Sequence, residues 1–382
     1  MPTIPPTPLQ QIITERIEHM GPITFADYMR MALYQPGYGY YVTGQPKMGW
    51  EGDYYTSSDL SALFAHCLGR QLSQMWEQLG CPTPFTVLEQ GAGRGNLAQE
   101  VRTWAEREAP NLYTALAYHT ADIHAGQDAL HPVDAPTARS APTTPPLSPS
   151  VILSNELVDA FPVHIVEKHE ETLYEVYVAV HEGRLRTVLD EPSSPEVAGY
   201  LDTYNIPWRT FPDGWRAEIN LDALRWIEQT AALLLGSSTK RKRRGFILTI
   251  DYGAKANRLY IPERRQGTLA SYFRHQFTEQ PLVRPGEQDL TAHVNFSALI
   301  AEGRRQGLRL QAFTTQREWL TEMGLFTELE RIRARDFTLI DSARASDQGQ
   351  VALLQWYNLR QRVQSLTAPG GMGDFKVLIL KR

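Results

Sequence analysis

Residues 85–96 read Phe85-Thr86-Val87-Leu88-Glu89-Gln90-Gly91-Ala92-Gly93-Arg94-Gly95-Asn96. A short apolar run passes directly into a cluster of glycines. A helical pattern then runs over 97–108, and a second apolar stretch covers 118–123. Strand, glycine turn, helix and strand in this order form a βαβ unit, which predicts a parallel sheet. Glycine suits such a turn because it bends the chain sharply and lets bare backbone approach a ligand. The helix that opens beside it offers unpaired N–H groups.

Two cofactor classes use a turn of this kind. A dinucleotide fold needs G-x-G-x-x-G/A. Asn96 occupies the place of the third glycine, so that pattern fails. What remains is an acid, a spacer and G-x-G-x-G, the form found in methyltransferases that use S-adenosylmethionine. Glu89 suits the ammonium of the methionine tail, and the turn's N–H groups suit its carboxylate. Asp122 closes the next strand, where a carboxylate can accept both ribose hydroxyls. The expected cofactor set is Glu89, Gly91, Ala92, Gly93, Gly95, Asp122 and the adjoining Ile123. Taken singly, each feature is also compatible with an ordinary strand-to-helix turn or a strand-end cap.

The 382 residues are 42% hydrophobic and 21% charged, with a net charge of -5. Such a chain can bury a large core as one domain with insertions or as two. The charge balance argues against nucleic acid as a partner. The basic run 240–244 reads as a solvated turn. Two cysteines, Cys67 and Cys81, are too few for a disulfide framework or a usual structural zinc site, and no metal is expected. No apolar run is long enough for membrane insertion, and the first twenty residues lack a signal-peptide core. A cytoplasmic location is expected for a bacterial chain, and the mitochondrial matrix for a eukaryotic one.

Outward from the glycine turn, Ile12, Ile13, Ile17 and Met20 recur at helical spacing. Thr24 and Asp27 have the form of a capping box that opens a second helix. A loop over 36–59 is rich in Gly and Tyr, and a long amphipathic helix spans 59–79. Residues 131–150 are rich in Pro, Ser, Thr and Ala and read as a surface loop, in the place where another sheet strand is due. A buried strand is expected at 151–154, a hairpin within 165–190 turning near 181–184, and a helix at 221–235. Further strands fall at 245–250, 308–313 and 375–380, with a helix at 296–306. The expected division is a helical cover and lid loop (1–80), a methyltransferase core (81–164 and 245–382) and an inserted hairpin and helix segment (165–244).

Open parallel sheets bind ligands beyond the carboxyl ends of their strands. Two more strand ends carry acids, Asn155-Glu156-Leu157-Val158-Asp159 and Asp251-Tyr252-Gly253. If Asn155 starts a helical turn, Glu156 and Asp159 share one face. Paired carboxylates beside a sulfonium suit arginine, whose guanidinium stays protonated and must be gripped. The structural alternative is that Asn155 caps a helix and Glu156 stabilises its first turn.

With these residues in place, the chain resembles the MidA-like methyltransferases, whose eukaryotic members help assemble respiratory complex I. The resemblance rests on ALYQPGYGYYV (32–42), GWEGDYYTSSDLSALF (49–64), VLEQGAGRGNLAQEV (87–101) and SNELVDAFPVHIVE (154–167). It continues through ILTIDYG (247–253), RQGTLASYFRHQ (265–276), PGEQDLTAHVNFSAL (285–299), TTQREWLTEMGL (314–325) and GDFKVLILKR (373–382). It implies a doubly wound, seven-stranded, Rossmann-like α/β sheet with an antiparallel last strand, an N-terminal helical cover and an inserted α+β segment. It also implies S-adenosylmethionine at Gly91, Gly93 and Gly95 with Thr56 and Ser57 nearby, and methylation of a protein arginine near Asn155, Glu156 and Asp159. Asp122 stands where the family usually has Glu, and Thr56-Ser57-Ser58-Asp59-Leu60-Ser61 replaces its Thr-x-Pro-Glu-Ile-Ser. Tyr38 and His293 are candidate substrate contacts. His275, Tyr40, Tyr41, Trp50, Tyr54 and Tyr55 lie in related stretches, and the aromatics suit either a groove wall or plain packing. The partner expected is a protein client, with a homodimer left open. A small-molecule methyltransferase and a cofactor-binding assembly factor without turnover are the competing readings.

Overall fold

Seven strands form the main sheet of the computed structural model. It describes residues 6–43, 62–122, 129–132, 149–236, 243–274, 276–341 and 347–382. The strand order is Arg309–Thr315, Lys376–Lys381, Phe246–Asp251, Val151–Asn155, Phe85–Gln90, Leu116–Asp122 and Ala129–Pro132. The four strands from Phe246–Asp251 to Leu116–Asp122 are mutually parallel. Lys376–Lys381 is antiparallel to both neighbours, one residue along from the expected 375–380. The missing strand is Ala129–Pro132, antiparallel to Leu116–Asp122. The first residues of the Pro-rich stretch are therefore strand rather than loop, and 133–148 lie outside the described residues.

Alternation along the strands gives the sheet two apolar faces. Val87, Leu153, Leu248 and Ile379 join one core, under the helices Ala62–Gln78, Asn96–Glu108 and Gln316–Glu322. Leu88, Ile152, Ile247 and Leu380 join the other, under Leu221–Leu235 and Phe296–Arg305. Val151–Asn155 is buried at every position, as a central strand covered on both sides must be. Phe85–Gln90 lies between Leu116–Asp122, which follows it, and Val151–Asn155, which comes later. Strand order reverses there, and the crevice this creates at the carboxyl ends is where such sheets bind ligands.

A second sheet runs Ile23–Thr24, Thr172–His181, His164–His169 and Arg216–Ile219, with Arg184–Asp190 paired to Thr172–His181. The hairpin turns at Glu182 and Gly183, both with positive φ, as a twisted two-residue turn requires. Leu9, Ile13 and Ile17 of the first helix and Phe25 and Met29 of the second pack on Ile165, Val176 and Val178 of this sheet. Met20, expected in that apolar stripe, is 75% exposed instead. Thr24 caps the second helix by accepting the Asp27 N–H at 3.0 Å. The cores thus cut across the sequence divisions. The N-terminal helices and the 165–190 hairpin share one core, while Leu221–Leu235 belongs to the main sheet.

The helix over 59–79 is described as Ala62–Gln78 and contains Gly69. A Cβ there would lie 2.2 Å from the Trp104 ring, which is itself buried. Gly69→Ala gains about 1 kcal/mol of helix propensity. Overpacking typically costs about 1–3 kcal/mol, and here the neighbour is a rigid ring. The variant should therefore unfold at lower urea concentration. A raised midpoint would mean that Trp104 can move aside.

Candidate functional site

The glycine turn takes the conformation only glycine adopts readily. Gly91, Gly93 and Gly95 have φ of +71°, +55° and +76°. The N–H groups of Gly91 and Ala92 donate to the Ala121 carbonyl at 2.9 and 3.3 Å. The Gly93 N–H donates to Asp122 Oδ2 at 2.6 Å. The turn is therefore bound to the end of the next strand, and Asp122 holds it while facing the crevice.

That crevice is a cavity of about 760 Å³, lined by Gly91, Asp122, Glu156, Leu157, Tyr34, Tyr41 and Trp226 among others. The volume is within the roughly 300–1,000 Å³ common for small-molecule sites. Three strand ends thus meet on one wall, as their order dictates. Further lining comes from segments distant in sequence, and it includes Tyr41, one of the aromatics suited to a groove wall. Tyr34 ends the helix Phe25–Tyr34, stacks on Tyr41 at 5.7 Å and donates to the Ala160 carbonyl at 2.8 Å. Burial, and then Asp159, hold its phenol well above the usual range. Trp226 donates to Gln90 Oε1 at 2.9 Å and meets Phe161 edge-on. Arg30 bridges Asp27 and Asp222 at 2.9 and 2.8 Å.

The predicted carboxylate pair is arranged differently from the helical expectation. Asn155 ends a strand and caps no helix. Glu156 is left-handed, φ +50°, and the only helical turn is the 3-10 segment Val158–Ala160. The reversal at Glu156 puts that side chain on the cavity wall and leaves Asp159 buried at 6% exposure. Tyr252 donates a short hydrogen bond to Asp159 Oδ2. Asp159 Oδ1 and Asn155 Oδ1 are buried with no hydrogen-bond partner among the described residues. Burial raises the Asp159 carboxyl above the usual carboxylate range, against the opposing Tyr252 and backbone hydrogen bonds.

The weaker candidates lie off the cavity. Tyr38 is 44% exposed, and its carbonyl packs against Gly286. His293 meets edge-on, at 5.4 Å, the ring of Tyr252, the donor to Asp159. Its surface is exposed overall, and partial burial, with Arg264 and Lys376 near, lowers its imidazole to about 4. Tyr40 is core. Thr56, Ser57, Ile123, His275, Trp50, Tyr54 and Tyr55 lie outside the described residues.

Residues 67–314 match the profile of a family of S-adenosyl-L-methionine-dependent methyltransferases. The chain belongs to that family. It is 30% identical to the mitochondrial protein arginine methyltransferase NDUFAF7 homolog of Drosophila melanogaster, over 79% of this chain and 74% of the relative. It is 26% identical to the mitochondrial protein arginine methyltransferase NDUFAF7 of Homo sapiens, over 97% and 82%. Among solved structures it is similar to a Burkholderia thailandensis protein bound to S-adenosyl-homocysteine. That likeness has a TM-score of 0.77 and 27% identity, covering all of this chain and 95% of that one.

The methyltransferase uses S-adenosylmethionine, and the cavity suits it. Gly91 brings bare backbone to its lining, and the acids Asp122 and Glu156 line it as well, as a cationic, donor-bearing occupant requires. Glu89 departs from the expected ammonium partner. It is 3% exposed and accepts the Tyr118 hydroxyl at 3.0 Å. Burial raises its carboxyl to about 8 despite that bond, so the free methyltransferase holds it as a neutral acid at pH 7. The fold thus favours the protonated form. This contribution is complete below the unfolded value of 4.5 and is lost as pH rises through about 8. Ionising the buried group costs on the order of 4–5 kcal/mol. Glu89→Gln should therefore melt increasingly above the native chain between pH 4.5 and 8. A gap that stays constant over that range would show that Glu89 is already ionised in the fold.

Proposed function

We propose that this methyltransferase methylates an arginine side chain of a protein client. S-adenosylmethionine lies against Gly91, Ala92, Gly93 and Gly95, with Asp122 on its ribose, and the guanidinium is held by Glu156 and Asp159. The observation that carries this reading is the unpartnered Oδ1 of buried Asp159 behind cavity-lining Glu156. A buried carboxylate oxygen without a donor is costly, and a guanidinium supplies donors and charge together. Asn155 Oδ1 offers a further acceptor at the same strand end. The relatives' names as protein arginine methyltransferases support the choice of substrate.

The bound sulfonium supplies an electrophilic methyl carbon. Glu156 and Asp159 would grip one edge of the guanidinium and leave the other nitrogen aligned with that carbon, which accounts for much of the rate in such transfers. As the new N–C bond forms, the S–C bond breaks and its electron pair stays on sulfur. The guanidinium then carries one proton more than its methylated product needs. Asp159, one of the two carboxylates gripping the guanidinium and the one with an unpartnered oxygen, is the group placed to receive it. In this reading the architecture is a Rossmann-like methyltransferase sheet (81–164 and 245–382), with 1–80 as cover and 165–244 as insertion. Thr56 and Ser57 remain proposed cofactor contacts by resemblance, and Ile123 by its place next to Asp122.

The test uses purified protein, isotopically labelled S-adenosylmethionine and lysate from cells lacking the gene. Acid hydrolysates of the labelled protein should contain methylarginine. Label confined to small molecules or to lysine would overturn the proposal.

A further inference from the structure

The segment carrying Glu156 and Asp159 is too irregular to satisfy its own backbone. Its N–H groups at Leu157, Val158 and Asp159 converge on one oxygen, Asp251 Oδ2, at 3.3, 2.9 and 3.4 Å. Asp251 Oδ1 accepts the Tyr252 N–H at 2.9 Å. The Glu156 N–H donates to the Ile250 carbonyl at 2.8 Å. The last two residues of the strand Phe246–Asp251 thus take four consecutive N–H groups from the end of its parallel neighbour. The carbonyls are held as well. Val158 accepts from Asn220 Nδ2 at 3.4 Å, Asp159 from the Ala292 N–H at 3.0 Å, and Ala160 from the Tyr34 hydroxyl.

We propose that Asp251 is a positioning residue for methyl transfer. Its fully buried carboxyl gathers the three N–H groups and so holds residues 156–159 in the form that sets Glu156 on the cavity wall with Asp159 behind it. The inference rests on the assignment of Glu156 and Asp159 to the substrate. A left-handed glutamate is unfavourable by about 1–2 kcal/mol and persists only where its surroundings impose it. Asparagine cannot replace Asp251 without conflict. In one orientation its NH₂ group faces the three N–H groups, and in the other it faces that of Tyr252.

Four forms of the full chain decide the matter: native, Asp251→Asn, Glu156→Gln and the double variant. Each is measured for S-adenosylmethionine affinity, and for kcat and KM on a methyl-accepting lysate fraction. Asp251→Asn should lower kcat about a hundredfold, the loss typical of small misplacements of reacting groups. Cofactor affinity should stay within about threefold of native. The loss in the double variant should fall at least tenfold short of the product of the single losses, because Asp251 acts through the segment bearing Glu156. A merely structural role would lower cofactor affinity and kcat together, and that result overturns the proposal. Normal turnover in Asp251→Asn beside an impaired Glu156→Gln also overturns it, while normal turnover in Glu156→Gln would overturn the substrate assignment instead. If Asp251→Asn does not fold, Asp251→Glu keeps the carboxyl group but displaces it by one methylene. It should show the same selective loss in kcat. Native kcat in it, or failure of both variants to fold, would assign Asp251 to general stability.

Discussion

Titration of Gly91→Val with S-adenosylmethionine is expected to show at least a hundredfold loss of affinity. Gly91 sits at φ +71° and lines the cavity. A left-handed residue with a Cβ costs about 1–2 kcal/mol, and a β-branched one more. The new Cβ would also lie 2.8 Å from Leu157 Cδ1 and 3.3 Å from Leu157 Cβ. Relieving that clash moves either the glycine turn or the residue next to Glu156, at a further cost of about 1–3 kcal/mol. A hundredfold loss corresponds to about 2.8 kcal/mol, so backbone strain and clash together suffice. Gly21→Ala is the control. It has φ +86° and nothing within 4 Å of the added Cβ, so it carries similar backbone strain and should bind normally. Binding by Gly91→Val within threefold of native would remove the turn from the cofactor site.

Glu156→Gln is expected to bind S-adenosylmethionine within about threefold of native and to lose on the order of 10²–10³ in kcat, the scale for removing one preorganised electrostatic contact. The substitution keeps the side chain's length and shape, so the cavity wall is preserved. What it removes is the negative charge opposite a protonated guanidinium, and with it the bidentate grip. Stopped-flow or single-turnover methylation separates this from slow product release. Native turnover in Glu156→Gln would show that the acceptor does not bind at this strand end.

The two predictions differ in how visible their residues were beforehand. The turn at Gly91 and the strand end at Asp122 are legible because a glycine turn is local. Sharp bend, bare backbone and a following helix must occupy consecutive residues, so a short motif records them. Glu156 and Asp159 are legible as acids at a strand end, but their geometry is not. A helical i, i+3 relation was the natural expectation, whereas Asp251, almost a hundred residues later, takes the N–H groups of Leu157, Val158 and Asp159. Glu89 shows the same limit. Its place in the motif suggests an ionised partner, yet burial against Tyr118 makes it a neutral acid in the free fold.

By itself, the sequence determined the parallel βαβ core, the cofactor class and the strand ends that carry acids. Each follows from periodicity or from residues adjacent in the chain, whereas the antiparallel last strand was implied only by the family resemblance. Only the tertiary structure decided how the short strand Ala129–Pro132 pairs, since its few residues carry no distinguishing pattern. It also decided that the N-terminal helices share a core with a hairpin some 150 residues away, and that Tyr34, Tyr41 and Trp226 wall the cavity. Those outcomes depend on which apolar faces bury each other and which acceptors reach distant N–H groups. Such energies arise between residues far apart in the chain and leave no local signature.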